Sequence, residues 1–210
     1  MTNNILLRSW VRFTLINGLA AILAYTSALF VPLPEKVAII LAFSFGPFFM
    51  LAAFGLYRMI QAWKDSIILQ VGTVFNIVGT AFATMMLVVQ QTSFAFHERF
   101  KTQDVGTVTS DQLKWMFQEV NSIQLGMDMA WDIFISAGTF FLALSFYGHP
   151  ILKRSFSISG MLVALLLLSF NLAYFPMPPG EAGSIDFGPF VALWYLAITI
   201  WILVKRNSFQ

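Results

Sequence analysis

Two aspartates lie four residues apart in an otherwise apolar stretch of the chain. Asp128 and Asp132 belong to the run QLGMDMAWDIFIS (124–136), which contains no lysine, arginine or histidine. Residues four apart face the same side of a helix with their Cβ atoms about 5–6 Å apart, so the two carboxylates would repel each other and titrate as a coupled pair. Three arrangements would neutralise them: a shared proton, a bound cation, or a basic group from elsewhere in the chain.

Other polar side chains extend this pair into a stripe along one helix face. At about 3.6 residues per turn, Asn121, Gln124, Ser136 and Thr139 fall with the two aspartates within about 120° of arc. The opposite face is apolar. Because an aspartate at the centre of a membrane span costs about 2.5–3.5 kcal/mol, we expect the stripe to face the bundle interior or a water-filled cavity.

The composition indicates an integral membrane protein. Of the 210 residues, 58% are hydrophobic and only 10% are charged, whereas a soluble domain carries about 25% charged residues. A membrane-spanning helix needs about 20 mostly apolar residues, and six segments meet that requirement. The predicted fold is therefore an all-α, polytopic bundle of six transmembrane helices, which forms a single domain over residues 1–210. The spans are 13–33, 37–57, 67–89, 125–147, 157–175 and 187–204.

Charge distribution predicts the orientation of the bundle. Six spans put both termini on one side of the membrane, and the basic residues concentrate there. That side carries Arg8, Arg12, Arg58, Lys64, Lys153, Arg154, Lys205 and Arg206, and the opposite side carries Lys36, Arg99, Lys101 and Lys114. The positive-inside rule then predicts a multi-pass protein of the cell membrane with both termini in the cytoplasm, N-in and C-in. We expect the bilayer itself and anionic lipids at the cytoplasmic face as partners. The basic residues are too sparse to indicate nucleic acid.

The longest connection, residues 90–124, is predicted to contain an amphipathic outer helix around 110–123, which is continuous with the fourth span or bent into it. Thr109 or Ser110 is suited to the N-cap, with Asp111 in the first turn. Apolar residues recur at helical spacing from Leu113 to Ile123. This helix could pack on the bundle at the membrane interface, form a lid over a cavity, or bind a partner.

Polar groups on other predicted spans lie at a depth compatible with the aspartates. Asn171 is near the outer end of span five, Trp194 and Tyr195 are about two turns into span six, and Tyr25 is in the outer half of span one. Together they complete a predicted ligand- or proton-binding site. Its residues are Asp128, Asp132, Gln124, Asn121, Asn171, Tyr195, Trp194 and Tyr25.

The sequence identifies no cofactor and predicts no metal centre, since cysteine is absent and His97 and His149 are the two histidines. No serine-hydrolase motif or P-loop is present either.

Three functions fit this pattern. The first is a binding or transport protein whose outward-facing acidic pocket takes a cation, a small amphipathic molecule or a lipid headgroup, with proton coupling through the aspartate pair. The second is a membrane-embedded enzyme using the pair as acid and base or as metal ligands, helped by His97, Glu98 or Glu119 from the long loop. The third is a non-catalytic membrane subunit that forms a homo-oligomer or joins a larger assembly. The few catalytic groups favour the first function over an enzyme.

Overall fold

The computed structural model describes residues 2–102 and 108–209, and within those ranges all regular secondary structure is helical, without a β-strand. The α-helices are α1 (Thr2–Phe30), α2 (Glu35–Gln61), α3 (Ile67–Thr102), α4 (Ser110–Ser145), α5 (Arg154–Tyr174) and α6 (Gly188–Val204). A short 3₁₀ turn, Arg206–Ser208, follows α6. The all-α prediction is confirmed for the described residues.

The first five helices are long and apolar enough to cross a membrane. The sixth, α6, is equally apolar in character but has 17 residues. At about 1.5 Å per residue it is about 25 Å long, somewhat short of a hydrocarbon core of about 30 Å. A multi-pass helical bundle is therefore supported.

The helices follow one another around the bundle in chain order, and α6 closes the ring by packing against both α5 and α1. Apolar side chains such as Ile135, Leu142, Phe146, Ile198 and Ile202 fill the interior and are almost completely buried. Water is excluded from this interior. The close packing of these side chains is therefore the main contribution that stabilises the helices against one another.

Glycines bring α3 and α4 unusually close together. A Cβ atom placed on Gly138 would lie 2.7 Å from the backbone nitrogen of Asn76, and one on Gly72 would lie 2.7 Å from that of Leu142. Small residues at such crossings let two helix backbones approach directly, which favours helix association in membranes. This contact fixes the position of the polar stripe on α4 relative to α3.

Both α3 and α4 contain 36 residues, which makes each about 54 Å long and leaves roughly 24 Å beyond the hydrocarbon core. Residues 110–123 form the first turns of α4, so the predicted outer helix is continuous with the rest of that helix. Thr109 is the N-cap, and it exchanges hydrogen bonds with Gln112 in a capping box. Phe117 packs on Phe94 and His97 of α3, with ring centroids 5.9 and 4.4 Å apart. The segment therefore forms a projecting hairpin with the end of α3, which we call the α3–α4 hairpin.

The other end of the bundle, which we call the terminal end, brings the α2–α3 loop, the α4–α5 loop and the C-terminus together. His149 is the centre of this packing, with its ring 4.8 Å from Trp63 and 6.2 Å from Phe209. Its Nδ1 accepts hydrogen bonds from the backbone N–H groups of Ile151 and Leu152, both at 3.1 Å. Burial lowers the pKa of His149 to about 4. The ring is therefore a neutral acceptor that organises the turn.

Candidate functional site

The polar stripe on α4 becomes steadily more buried from its N-terminal end inward. Asn121 is exposed, and Gln124 and Asp128 are partly buried. The exposed fraction then falls to 4% at Asp132, 2% at Ser136 and 0% at Thr139. The stripe therefore descends from the surface into the bundle interior.

Asp128 and Asp132 line a small polar cavity, which we call the carboxylate cavity. Asn171 of α5 and the segment 175–178 after α5 complete its wall, with Leu125 and Met129 at its edge. Its volume is about 20 Å³. One water needs about 10–15 Å³, whereas small-molecule pockets measure about 300–1,000 Å³. The carboxylate cavity therefore has room for one water molecule or one small ion.

Among the side chains that the structure describes, neither carboxylate of the pair has a counter-charge. Among the described side chains, no basic group forms an ion pair with Asp128 or Asp132, and no protein donor hydrogen-bonds to either. Asp186, from the turn before α6, lies within Coulombic range of both carboxylates and adds a third negative charge. The local field therefore attracts a positive ion.

Asn171 lies beside these carboxylates, and Tyr25 is within Coulombic range of Asp128. Asn171 is 8% exposed, and its Nδ2 donates to the carbonyl of Leu167 at 3.0 Å. Tyr25 of α1 is within Coulombic range of Asp128 and Asp186, and its ring packs 4.8 Å from that of Phe45. The cavity thus receives groups from α4 and α5, and Tyr25 of α1 is within Coulombic range of Asp128 without lining the cavity.

Tyr195 lies deeper than the carboxylate cavity and joins three helices. Its hydroxyl accepts a hydrogen bond from the Asn76 amide of α3 and lies 3.0 Å from the hydroxyl of Thr139 on α4. Its ring meets Phe49 of α2 edge-on at 4.7 Å. Tyr195 therefore anchors α6 at the inner end of the stripe.

Trp194 faces a different neighbour. Its indole N–H donates to the carbonyl of Phe156 at 2.9 Å, near the start of α5, and its ring stacks on Phe146 at 5.8 Å. Of the eight residues in the predicted site, the structure brings Asp128, Asp132 and Asn171 into one cavity and places Tyr25 nearby. It leaves Asn121 and Gln124 above that cavity, and Tyr195 and Trp194 away from it.

Asp186 and Asn76 were not included in the predicted site. The Oδ1 atom of Asp186 accepts a hydrogen bond from the backbone N–H of Gly188 at 2.8 Å. This contact forms an Asx-type turn at the start of α6. The sequence feature that could have predicted this turn is an aspartate two residues before Gly188-Pro189, where a helix starts. Asn76 is fully buried, and its Oδ1 has no hydrogen-bond partner. The Ser136 hydroxyl is also buried without a partner, and buried polar groups of this kind are typically satisfied by water.

The groups that an enzyme would need from the long loop are not at the carboxylate cavity. His97 packs against Phe117 within the α3–α4 hairpin, and neither His97 nor Glu119 lines the cavity. Among the described residues, no cluster of three or more histidine, aspartate or glutamate side chains could hold a metal ion.

Two further spaces lie in the structure. A cavity of about 30 Å³ lies between α1, α2 and α6, and its lining includes Thr14, Thr199 and Tyr195. A groove of about 410 Å³ runs along the α3–α4 hairpin and is lined mainly by apolar residues, with His97 among them. Neither contains an aspartate of the stripe.

No protein-family model matches this sequence, and comparisons with curated proteins and with solved structures likewise found no match. The function is therefore inferred from the geometry.

Proposed function

We propose that this chain is a membrane protein that binds one small cation, a proton or a monovalent metal ion, in the carboxylate cavity. The observation that carries the proposal is Asp132. Its side chain is 4% exposed, lines a cavity of about 20 Å³, and has no basic partner among the described side chains. A buried charge without a partner is strongly unfavourable, so a positive ion in the cavity stabilises the folded protein.

The size of the cavity decides between the ligand classes. A cation fits about 20 Å³, whereas an amphipathic molecule or a lipid headgroup needs a pocket many times larger. A proton or a monovalent ion also suits a site with two carboxylates and one amide, because Ca²⁺ and Mg²⁺ prefer six or more oxygen ligands. We therefore assign the cavity to a small monovalent charge.

The proposal includes the orientation. With α6 as the sixth span, both termini lie at the basic terminal end, in the cytoplasm of a cell-membrane protein, and the carboxylate cavity opens toward the outside. The chain has no cysteine, so single cysteines report topology directly. We expect a membrane-impermeant maleimide to label Ser110→Cys in intact cells and Ser155→Cys only after the membrane is broken, since both positions are exposed. The reverse pattern would reverse the orientation.

A role in transport is supported by the inward continuation of the stripe. Beyond Asp132, Ser136 and Thr139 lead to Tyr195, which also lines the 30 Å³ cavity between α1, α2 and α6. A cation bound at the carboxylates thus lies at the outer end of a polar stripe that continues into the bundle as far as Tyr195. Such stripes of buried polar groups are typical of ion and proton pathways.

The test compares the wild type with Asp132→Asn and Asp128→Asn, using purified protein in nanodiscs. Glu119→Gln is the matched control, because it removes the same charge from an exposed position on the same helix. Infrared difference spectra between high and low pH report protonated carboxyl groups, and sodium titrations of thermal stability report metal-ion binding. A cation at 100 times its Kd adds about 2.7 kcal/mol to the free energy of unfolding.

We expect the wild type and Glu119→Gln to show either the protonated-carboxyl band or the sodium-dependent stabilisation, and Asp132→Asn to lose it. The band identifies a proton, and the sodium response identifies a metal ion. A response that persists in both aspartate variants, or is absent from the wild type, would refute the proposal.

A further inference from the structure

Trp201, near the end of α6, holds two lysines at the terminal end of the bundle. Its indole N–H donates to the carbonyl of Ile151 at 2.9 Å, which fixes the ring. The Nζ of Lys153 lies 4.4 Å from the ring centroid, and the Nζ of Lys205 lies 5.5 Å from it. The two ammonium groups are therefore at most about 10 Å apart, gathered around one aromatic ring.

These cations have no acidic partner among the described residues. Arg154, next to Lys153, has its guanidinium 4.7 Å from the ring of Tyr147. Asp65, the acidic side chain among the described residues on this side of the bundle, accepts hydrogen bonds at 3.1 Å from Gln61 and from Gln70. These hydrogen bonds lower the pKa of Asp65. The positive charge around Trp201 is therefore available to an external anion.

Apolar surface continues directly from this cluster. Ile158 and Leu162 follow Arg154 at four-residue intervals on the same face of α5 and are 50% and 55% exposed. Val204, beside Lys205 on α6, is 67% exposed. Cations at the rim of an exposed apolar helix face match a molecule with an anionic head and an apolar tail.

We propose that Lys153 and Lys205, which both contact the ring of Trp201, bind the phosphate of an anionic phospholipid, with Arg154 beside them. Charge-assisted N–H···O bonds to a phosphate are about 2.7–2.9 Å long, and the flexible lysine side chains can turn both ammonium groups toward one phosphate beside the ring. The acyl chains lie along Ile158 and Leu162, and Trp201 takes the interfacial position that tryptophan favours. This site is separate from the carboxylate cavity and does not depend on its function.

The test measures binding of labelled phosphatidylglycerol and phosphatidylcholine to the full-length protein in detergent micelles. The test variant is Lys153→Gln/Lys205→Gln. The control is Lys64→Gln/Arg206→Gln, which removes two charges from exposed positions at the same end. A basic residue near an anionic lipid surface contributes about fivefold in affinity. We therefore expect the test variant to bind phosphatidylglycerol about 25-fold more weakly and the control less than threefold more weakly.

Thermal unfolding of each variant checks that it folds. If the double glutamine variant is unstable, the single variants should each lose about fivefold in affinity, and Lys153→Arg/Lys205→Arg should retain binding. Equal losses in test and control variants would show diffuse attraction, and equal binding of both lipids would show no headgroup recognition. Displacement of the lipid by inorganic phosphate at an equal concentration would identify a soluble anion as the ligand. Each of these three results would overturn the proposal.

Discussion

The glycine contact between α3 and α4 leads to a quantitative prediction for Gly138→Ala. The added Cβ would lie 2.7 Å from the backbone nitrogen of Asn76 and 2.9 Å from its Cα. These are main-chain atoms, so no side chain can rotate away. The two helices must separate by several tenths of an ångström, and Asn76 would move relative to Tyr195.

Two terms set the expected change in stability. Overpacking a tight contact costs about 1–3 kcal/mol, and a main-chain clash belongs in the upper part of that range. Replacing glycine by alanine within a helix returns up to about 1 kcal/mol through helix propensity. We therefore expect Gly138→Ala to lower the free energy of unfolding by about 1–2 kcal/mol.

Gly126→Ala is the control on the same helix, because a Cβ there meets nothing within 4 Å. It should raise stability by up to about 1 kcal/mol, so the two variants should differ by about 2–3 kcal/mol. Reversible unfolding in mixed micelles with increasing dodecyl sulfate, followed by circular dichroism, measures both. A Gly138→Ala variant as stable as Gly126→Ala would refute the close approach of α3 and α4.

Two other substitutions test the interior and the terminal end. Tyr195→Phe removes the acceptor of the Asn76 amide and should cost about 1–3 kcal/mol in the same unfolding assay, whereas Tyr174→Phe, at a site 38% exposed, should change little. Equal effects of the two changes would contradict the central role of Tyr195. His149 has a pKa of about 4 in the folded chain and about 6.5 when unfolded, so its contribution to stability is complete above pH 6.5 and is lost as the pH falls from 6.5 toward 4. Melting temperatures between pH 7.5 and 4.5 should therefore fall more steeply for the wild type than for His149→Asn, and parallel curves would contradict a buried neutral histidine.

The sequence was sufficient to predict helices because membrane spans follow from the length of apolar runs. It was less informative about where the helices end. The sequence leaves open whether the outer helix around 110–123 is continuous with span four or bent into it, and in the structure it is the first part of α4. The change from polar to apolar residues near Leu125 marks a change of surrounding solvent, and the backbone hydrogen bonds continue through it. Hydropathy reports the change of solvent, but it does not report whether the helix continues across that change.

The same distinction explains which site residues the sequence could group. Residues on one helix keep fixed angles to each other, so the stripe through Asp128, Asp132 and Thr139 could be derived from spacing alone. Groups on other helices depend on rotation and tilt, which hydropathy does not determine. Trp194 and Tyr195 are adjacent and therefore point about 100° apart, so they face different neighbours: Tyr195 meets α3 and α4, and Trp194 meets the start of α5.

The packing of α4 also indicates where a bound cation would act. From Ile135 inward, α4 is held against α3 by glycine contacts, and one face of the helix is buried. At Gly126, no neighbouring atom lies within 4 Å of an added Cβ, and residues 110–123, which precede it on the same helix, are largely exposed. Asp132 lies at the boundary between these two parts of the helix. Neutralising its charge therefore changes electrostatics at the point where α4 passes from a fixed to a loosely packed environment. We expect structural responses to cation binding in the turns from Asp128 toward the α3–α4 hairpin, with the helix below Ile135 unchanged, because close-packed main-chain contacts allow little displacement there.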